Sequence, residues 1–229
     1  MLLALDTATR QSGIALFDDQ TLVAELNWIS HDSQTVELLP RLSQLLSWHA
    51  LSPSDVQAVA VSLGPGSFTG LRIALSIAKG MAVVHGLPVL GVPTLDATAL
   101  PFVASDKPVC ALAPAGRGRV YWAIYAAAPD DARPVAVHFG AWQGWRSDYR
   151  LGDVQALAGA LLQPTLLVGE ISPPMHETLN TALAGQGVMH TTGATGRRAA
   201  SIAELGWLRW RAGDRDDPAS LAPIYLQEP

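Results

Sequence analysis

The chain has 229 residues, about half of them apolar and 15% charged, with a net charge of −5 and a pI near 5.6. A chain of this make-up is not disordered and is long enough for one large domain or two lobes with real cores. The acidic balance argues against a protein that grips nucleic acid unaided, the apolar runs are too short to span a bilayer, and a single cysteine, Cys110, excludes an internal disulfide and a four-thiolate zinc site.

The opening Met1-Leu2-Leu3-Ala4-Leu5-Asp6 has no basic flank and no long apolar run before a cleavage site, so no signal peptide is expected and the cytoplasm is the expected location. Leu2–Asp6 reads as a strand, and 13–17 and 22–26 as two more, joined by a turn at Asp18-Asp19-Gln20. Leu38, Leu42, Leu45 and Leu46 recur at helical spacing over Gln34–Trp48, with Pro40 inside the pattern; proline suits a first turn, so the regular helix is expected to start near Glu37. Ser52-Pro53-Ser54 breaks the chain before an apolar, β-branched run at 56–63, the expected central strand. Gly64-Pro65-Gly66-Ser67 then turns into a long helix, Phe68–His85. A strand at 88–92 and a helix at 94–103 follow, the latter capped by Thr94.

The pattern restarts at Ser105-Asp106-Lys107-Pro108. Strands are expected at 109–113, 120–127 and Val135–Phe139, then a helix at 154–162, a strand at 166–168 and a short helix at 176–183. An amphipathic helix at 202–211 precedes the tail Pro223-Ile224-Tyr225-Leu226. Three antiparallel strands followed by helix, strand and helix thus occur twice. The expected organisation is an N-terminal lobe, 1–104, and a C-terminal lobe, 105–229, with the final helix free to pack back on the first lobe.

The most informative stretch is Gly64-Pro65-Gly66-Ser67-Phe68-Thr69-Gly70-Leu71-Arg72, between a strand and a helix, where backbone N–H groups can cradle an anion. It is not a P-loop, since no Gly-Lys-Ser/Thr follows at the required offset. Its last glycine falls one residue late for a dinucleotide fingerprint, and Ser67 lacks the flanking glycines of a nucleophile elbow. The plain reading is a tight turn capped by Ser67 or Thr69. In the following helix Gly70, Ala74, Ala78 and Ala82 form a small-residue stripe, with Ile73, Ile77, Met81 and Val84 beside it. A helix apolar on most sides must be covered on most sides. Either it is fully buried, or one face meets the sheet and another meets a partner, with the stripe letting a partner helix approach closely.

Catalytic signatures are sparse. The six histidines are scattered and no His-x-x-x-His pair exists, so no metal site is expected. Asp6, at the end of the first strand, is the one candidate for a magnesium or phosphate contact; the plain alternative is a turn aspartate capping backbone N–H groups. The matching strand of the second lobe ends Ala113-Pro114-Ala115-Gly116, without charge. Arg119, Arg197, Arg198, Arg209 and Arg211, with Trp207 and Trp210 nearby in sequence, are either dispersed positive patches for RNA or, as the acidic total favours, solvated surface.

Leu3-Ala4-Leu5-Asp6-Thr7-Ala8-Thr9, Glu37-Leu38-Leu39-Pro40 and Gly64 through Ile73 resemble the TsaB family, also called YeaZ. Val120-Tyr121-Trp122 and the tail motif add weaker matches in the same order. The resemblance implies an α/β, two-lobed, actin-like ATPase (ASKHA, ribonuclease H-like) fold. It also implies a non-catalytic subunit of the bacterial machinery for N6-threonylcarbamoyladenosine in tRNAs reading codons that begin with A. The implied partners are the catalytic paralogue TsaD, which carries the metal site, and an ATPase subunit, TsaE. tRNA would be met through the complex, another enzyme supplies threonylcarbamoyl-AMP, and a homodimer in isolation is left open. No cofactor is implied for this subunit. Family members dimerise through two N-terminal helices matching Gln34–Trp48 and Phe68–His85, which makes Leu38, Leu42, Leu45, Gly70, Ile73, Ala74, Ile77, Ala78 and Met81 the expected interface. Three departures are Gln34, where the family often has His; Pro114-Ala115-Gly116, where it often has Asp-Ala-Arg; and Gln227, where it tends to have Arg. The competing class is a free-standing enzyme on the same fold, a small-molecule kinase or a peptidase.

Overall fold

The computed structural model describes residues 1–127, 135–183, 187–189 and 196–226; Gln227 lies outside them. The chain forms two compact units, Met1–Thr94 with Arg198–Ile224, and Leu95–Arg197 with Tyr225–Pro229.

The first unit is built on a five-stranded sheet. Its strands are β1 (Leu2–Asp6), β2 (Gln11–Asp18), β3 (Thr21–Ile29), β4 (Ala58–Gly64) and β5 (Val89–Pro93), in the order β3-β2-β1-β4-β5. The opening meander is antiparallel, whereas β4 and β5 run parallel to β1. Every residue of β1 and β4 is buried, as central strands covered on both faces require. Period-two alternation divides those faces. Leu3, Leu5, Val59 and Val61 join one core with residues of α1 (Gln34–Trp48) and α2 (Phe68–His85). On the other face α6 (Ala199–Arg211) packs so closely that a Cβ at Gly206 would meet that of Ala60, and one at Gly13 would meet that of Ala199.

The second unit holds a seven-stranded sheet: β6 (Val109–Gly116), β7 (Arg119–Ala126), β8 (Val135–Phe139), β9 (Trp142–Arg146), β10 (Arg150–Gly152), β11 (Thr165–Gly169) and β12 (Gly187–Met189). The order is β12-β11-β6-β7-β9-β8, with β10 paired to β7. Helices α4 (Val154–Ala160) and α5 (Pro173–Leu183) pack on one face, over Cys110, Leu112, Val120 and Trp122.

Several elements depart from the sequence expectation for local reasons. α1 starts at Gln34, not near Glu37, and keeps Pro40 inside. The bond that proline cannot make would go to the carbonyl of Val36, and Val36 is 72% exposed, so water can satisfy it. α3 (Thr94–Ala99) ends early, and Pro101 sits in a 3-10 turn at Leu100–Phe102. α5 starts at Pro173 because prolines suit a first helical turn. The β8–β9 hairpin turns at Gly140, whose φ is 62°. That hairpin and β10 interrupt the repeated strand order in the second unit.

Candidate functional site

The strand–turn–helix at 58–85 organises the first unit's candidate site. Gly64 leaves β4 with φ 103°, in the region that favours glycine. Ser67, not Thr69, is the N-cap of α2: its Oγ accepts the Gly70 N–H at 3.2 Å. At the other end Gly86, with φ 67°, closes the helix in the left-handed conformation.

The carboxyl ends of β1 and β4 are where open α/β sheets hold ligands. Here the 64–70 turn packs against the loop that follows β1. The Ser67 N–H donates to the Ala8 carbonyl at 2.6 Å, and Thr7 Oγ1 donates to the Gly70 carbonyl at 2.6 Å. A Cβ on Gly66 would strike the Ala8 carbonyl and one on Gly70 the Thr7 carbonyl, so the two loops lie backbone to backbone. Asp6 is 2% exposed and accepts the Ala8 N–H at 3.0 Å, the arrangement of a turn aspartate. Gln34 is buried, and its Nε2 donates to the Thr9 carbonyl at 3.3 Å. The amide and carbonyl of Ala8 are thus both committed within the protein. Among the described residues no group of three or more His, Cys, Asp or Glu side chains is placed to hold a metal ion.

The structure corrects the orientation of α2. Gly70, Ala74 and Ala78 are buried, and Ala74, Ala78 and Ala82 belong to the core over the sheet. The small-residue stripe therefore brings the helix close to β4 and β1, not to a partner helix. Leu38, Leu42 and Leu45 of α1 are buried in the same core. Ile73, Ile77 and Met81 are partly buried and reach the outer surface, where they line two apolar grooves of about 540 and 460 Å³ between α1 and α2. Leu39 and Phe68, which sequence reasoning missed as surface positions, and Val84, which it placed beside the stripe, line the grooves with them; Val36 and Trp48 on α1 and Val83 on α2 are further apolar side chains, and all six are more than half exposed. The Arg72 guanidinium lies 3.7 Å from the Phe68 ring centroid. α1 is fixed from the side by Trp28, whose Nε1 donates to Glu37 at 2.9 Å while Arg41 covers its ring. Hydrogen bonds from Ser30 and Trp28 hold the Glu37 carboxyl below its ordinary value.

Three of the five arginines singled out in the sequence are engaged in ion pairs. Arg197 is buried on Glu170, Arg198 pairs with Glu25, and Arg209 pairs with Asp214 and Asp216. Trp207 is buried against Phe17 and Trp210, with Arg211 beside it.

The second unit has a buried polar centre. Tyr125 and Tyr149 each donate a hydroxyl to Asp96 Oδ1 at 2.7 Å, and Arg146 Nε stands 3.5 Å away, an ion pair rather than a hydrogen bond. Burial pushes the Asp96 carboxyl above its ordinary value, against the tyrosine hydrogen bonds and Arg146, which pull it down. A folded-state pKa above the unfolded one favours the neutral acid. Its contribution to stability is complete below the unfolded value, about 3.9, and is lost as pH rises through the folded value. Asp96→Asn keeps an acceptor and cannot ionise. It is expected to flatten the pH dependence of second-unit melting above pH ~4, read by near-UV tyrosine signal; an unchanged slope would show that another group sets it.

Residues 29–145 match the sequence profile of the family described as "TsaD: tRNA N6-adenosine threonylcarbamoyltransferase", about half of the chain. The "tRNA threonylcarbamoyladenosine biosynthesis protein TsaB" of Bacillus subtilis is 26% identical over 99% of this chain and 93% of its own length. The protein of that name from Escherichia coli is 38% identical, over 54% of each chain. An uncharacterized protein of Mycobacterium tuberculosis is 30% identical across this chain and 92% of its own. Among solved structures, YeaZ from Pseudomonas aeruginosa superposes with a TM-score of 0.76 over 98% of this chain and 99% of that one, at 22% identity. The ethanolamine utilization protein EutJ from Carboxydothermus hydrogenoformans reaches 0.52 over 89% of each, at 12% identity. These two show a common actin-like α/β fold. With the strand–turn–helix of Ala58 to His85 at its centre, the chain belongs to the TsaD-like family and, within it, to the TsaB (YeaZ) branch.

Proposed function

We propose that this chain is a non-catalytic partner subunit in the formation of N6-threonylcarbamoyladenosine in tRNA, and that it docks on a catalytic paralogue of the TsaD type through the outward face of α1 and α2. The observation that carries this reading is a division of labour within the first unit. The 64–70 turn lies backbone to backbone on the loop after β1, while the helices beside it keep exposed apolar side chains around two grooves. Exposed apolar area concentrated on one face marks an interaction surface. The curated relatives' name supplies the pathway. A TsaE-type ATPase and tRNA enter through the assembled complex, in keeping with the acidic net charge and with the ion pairs that engage Arg197, Arg198 and Arg209. No helix among the described residues is long and apolar enough to cross a membrane, which is compatible with a cytoplasmic place of work.

The test is co-purification of the chain with the TsaD-type subunit of its own host, together with turnover assays on the isolated chain. Stable co-elution is expected, with ATP hydrolysis and peptide cleavage at background. Turnover well above background that disappears in Asp6→Ala would overturn the non-catalytic reading in favour of a free-standing enzyme.

A further inference from the structure

The chain after α6 has no part in the docking face, yet it returns to the turn that starts α2. Its course is fixed at both ends. Near α6, Arg209 donates to the Gly91 carbonyl at 2.6 Å and pairs with Asp216 at 3.0 Å, while the Asp216 N–H donates to the Val89 carbonyl at 2.9 Å. Asp216 Oδ2 also accepts the Gly91 N–H at 2.6 Å, so the segment is stitched to the edge strand β5. The chain then turns at Asp217, which accepts from the Ala219 N–H at 3.0 Å and the Ser220 hydroxyl at 2.8 Å. Leu221 and Ile224 pack against the core shared by the sheet, α1 and α2. Finally the Ile224 N–H donates to the Leu63 carbonyl at 2.7 Å, one residue before Gly64.

Gly64 shows how tight this closure is. A Cβ there would sit 2.9 Å from the Ile224 carbonyl oxygen and 2.9 Å from Leu71 Cδ1. The tail and the first turn of α2 therefore close on one glycine from two sides. The face that the sheet gives α2 fixes its height, and α1 fixes one flank. The segment 221–224 bears on the point where β4 turns into α2, and that turn sets the helix direction.

We propose that residues 221–224 act as a strap whose docking holds the amino-terminal turn of α2 in place, with Ile224 as the positioning residue, and that partner binding at the α1–α2 face depends on it. This rests on the docking reading above. The linkage is reciprocal: a partner that prefers the strapped geometry must also tighten the strap. The strap also gives the tail motif, which the docking face leaves unused, a physical task.

The experiment compares the full chain with Leu221→Ala/Ile224→Ala and with Ile224→Val. Amide hydrogen exchange is followed with and without the TsaD-type subunit, alongside its affinity. In the double variant, exchange at 67–74 is expected to quicken by about tenfold or more while the amides of β1 and β2 keep their protection. Affinity for the partner is expected to fall about tenfold, equivalent to ~1.4 kcal/mol. Ile224→Val should restore both. Unchanged exchange at 67–74 would overturn the strap, as would accelerated exchange with undiminished affinity or acceleration spread evenly through the first unit. If the unaltered chain fails to bind the partner, the docking reading fails; exchange at 67–74 in the double variant then decides separately whether the strap holds α2.

Discussion

Ala78→Glu is expected to unfold the first unit rather than to leave a folded chain with a blocked interface. Ala78 is fully buried in the core over the sheet. A glutamate there must either carry its charge into an apolar core or push α2 off β4. Either route costs several kcal/mol, about 3–5 for an uncompensated buried charge. Stabilities of domains lie at roughly 5–15 kcal/mol, so a loss of this size takes a large share. Ala74→Glu should behave alike, for the same reason. The measurement is far-UV circular dichroism with thermal melting. A folded Ala78→Glu chain with an unshifted melting temperature would place the stripe on the surface and contradict the orientation of α2.

Leu39→Asp/Val84→Asp should do the reverse. Both side chains line the larger groove and both are more than half exposed. Surface substitutions of this kind change stability by about 0.5 kcal/mol or less each, so the melting temperature should move little. A charge in the middle of an apolar interface is a different matter, because it must lose its water on docking. Truncation of a central apolar anchor alone costs about 2–4 kcal/mol, which is roughly 30- to 1,000-fold in affinity. Co-purification with the TsaD-type subunit is therefore expected to disappear. Retention of the complex by this double variant would move the docking surface away from α1 and α2.

The strand, glycine turn and helix from 58 to 85 were legible because each has a local cause: a β-branched apolar run, glycines at close approaches, and a side-chain cap at Ser67. The facing of α2 was not legible. Gly70, Ala74, Ala78 and Ala82 suit close approach to a sheet as well as to another helix, and apolar residues on both sides leave the period without a preferred direction. The useful signal lay outside the stripe, in Val36, Leu39, Val83 and Val84, apolar positions that the core did not claim. In the second unit β9 was missed because Gly144 interrupts its alternation; the Trp142 ring covers the space a side chain at Gly144 would need. Asp6 stood out as an acidic residue at a strand end. Only the placement of the 64–70 turn against 7–8 shows that its surroundings are occupied by the chain itself.

The central claim is that the chain contributes a docking face and no chemistry. The most direct test is threonylcarbamoyladenosine formation on tRNA in a reconstituted system containing the TsaD-type and TsaE-type subunits and threonylcarbamoyl-AMP. The chain would be unaltered, Asp6→Ala, or Leu39→Asp/Val84→Asp. Asp6 is buried, so each chain's fold is checked first by circular dichroism. The account predicts full modification with the unaltered chain and with a folded Asp6→Ala, and background modification with the folded double variant. Normal modification with the double variant, or its loss in a folded Asp6→Ala that still binds its partner, would contradict it.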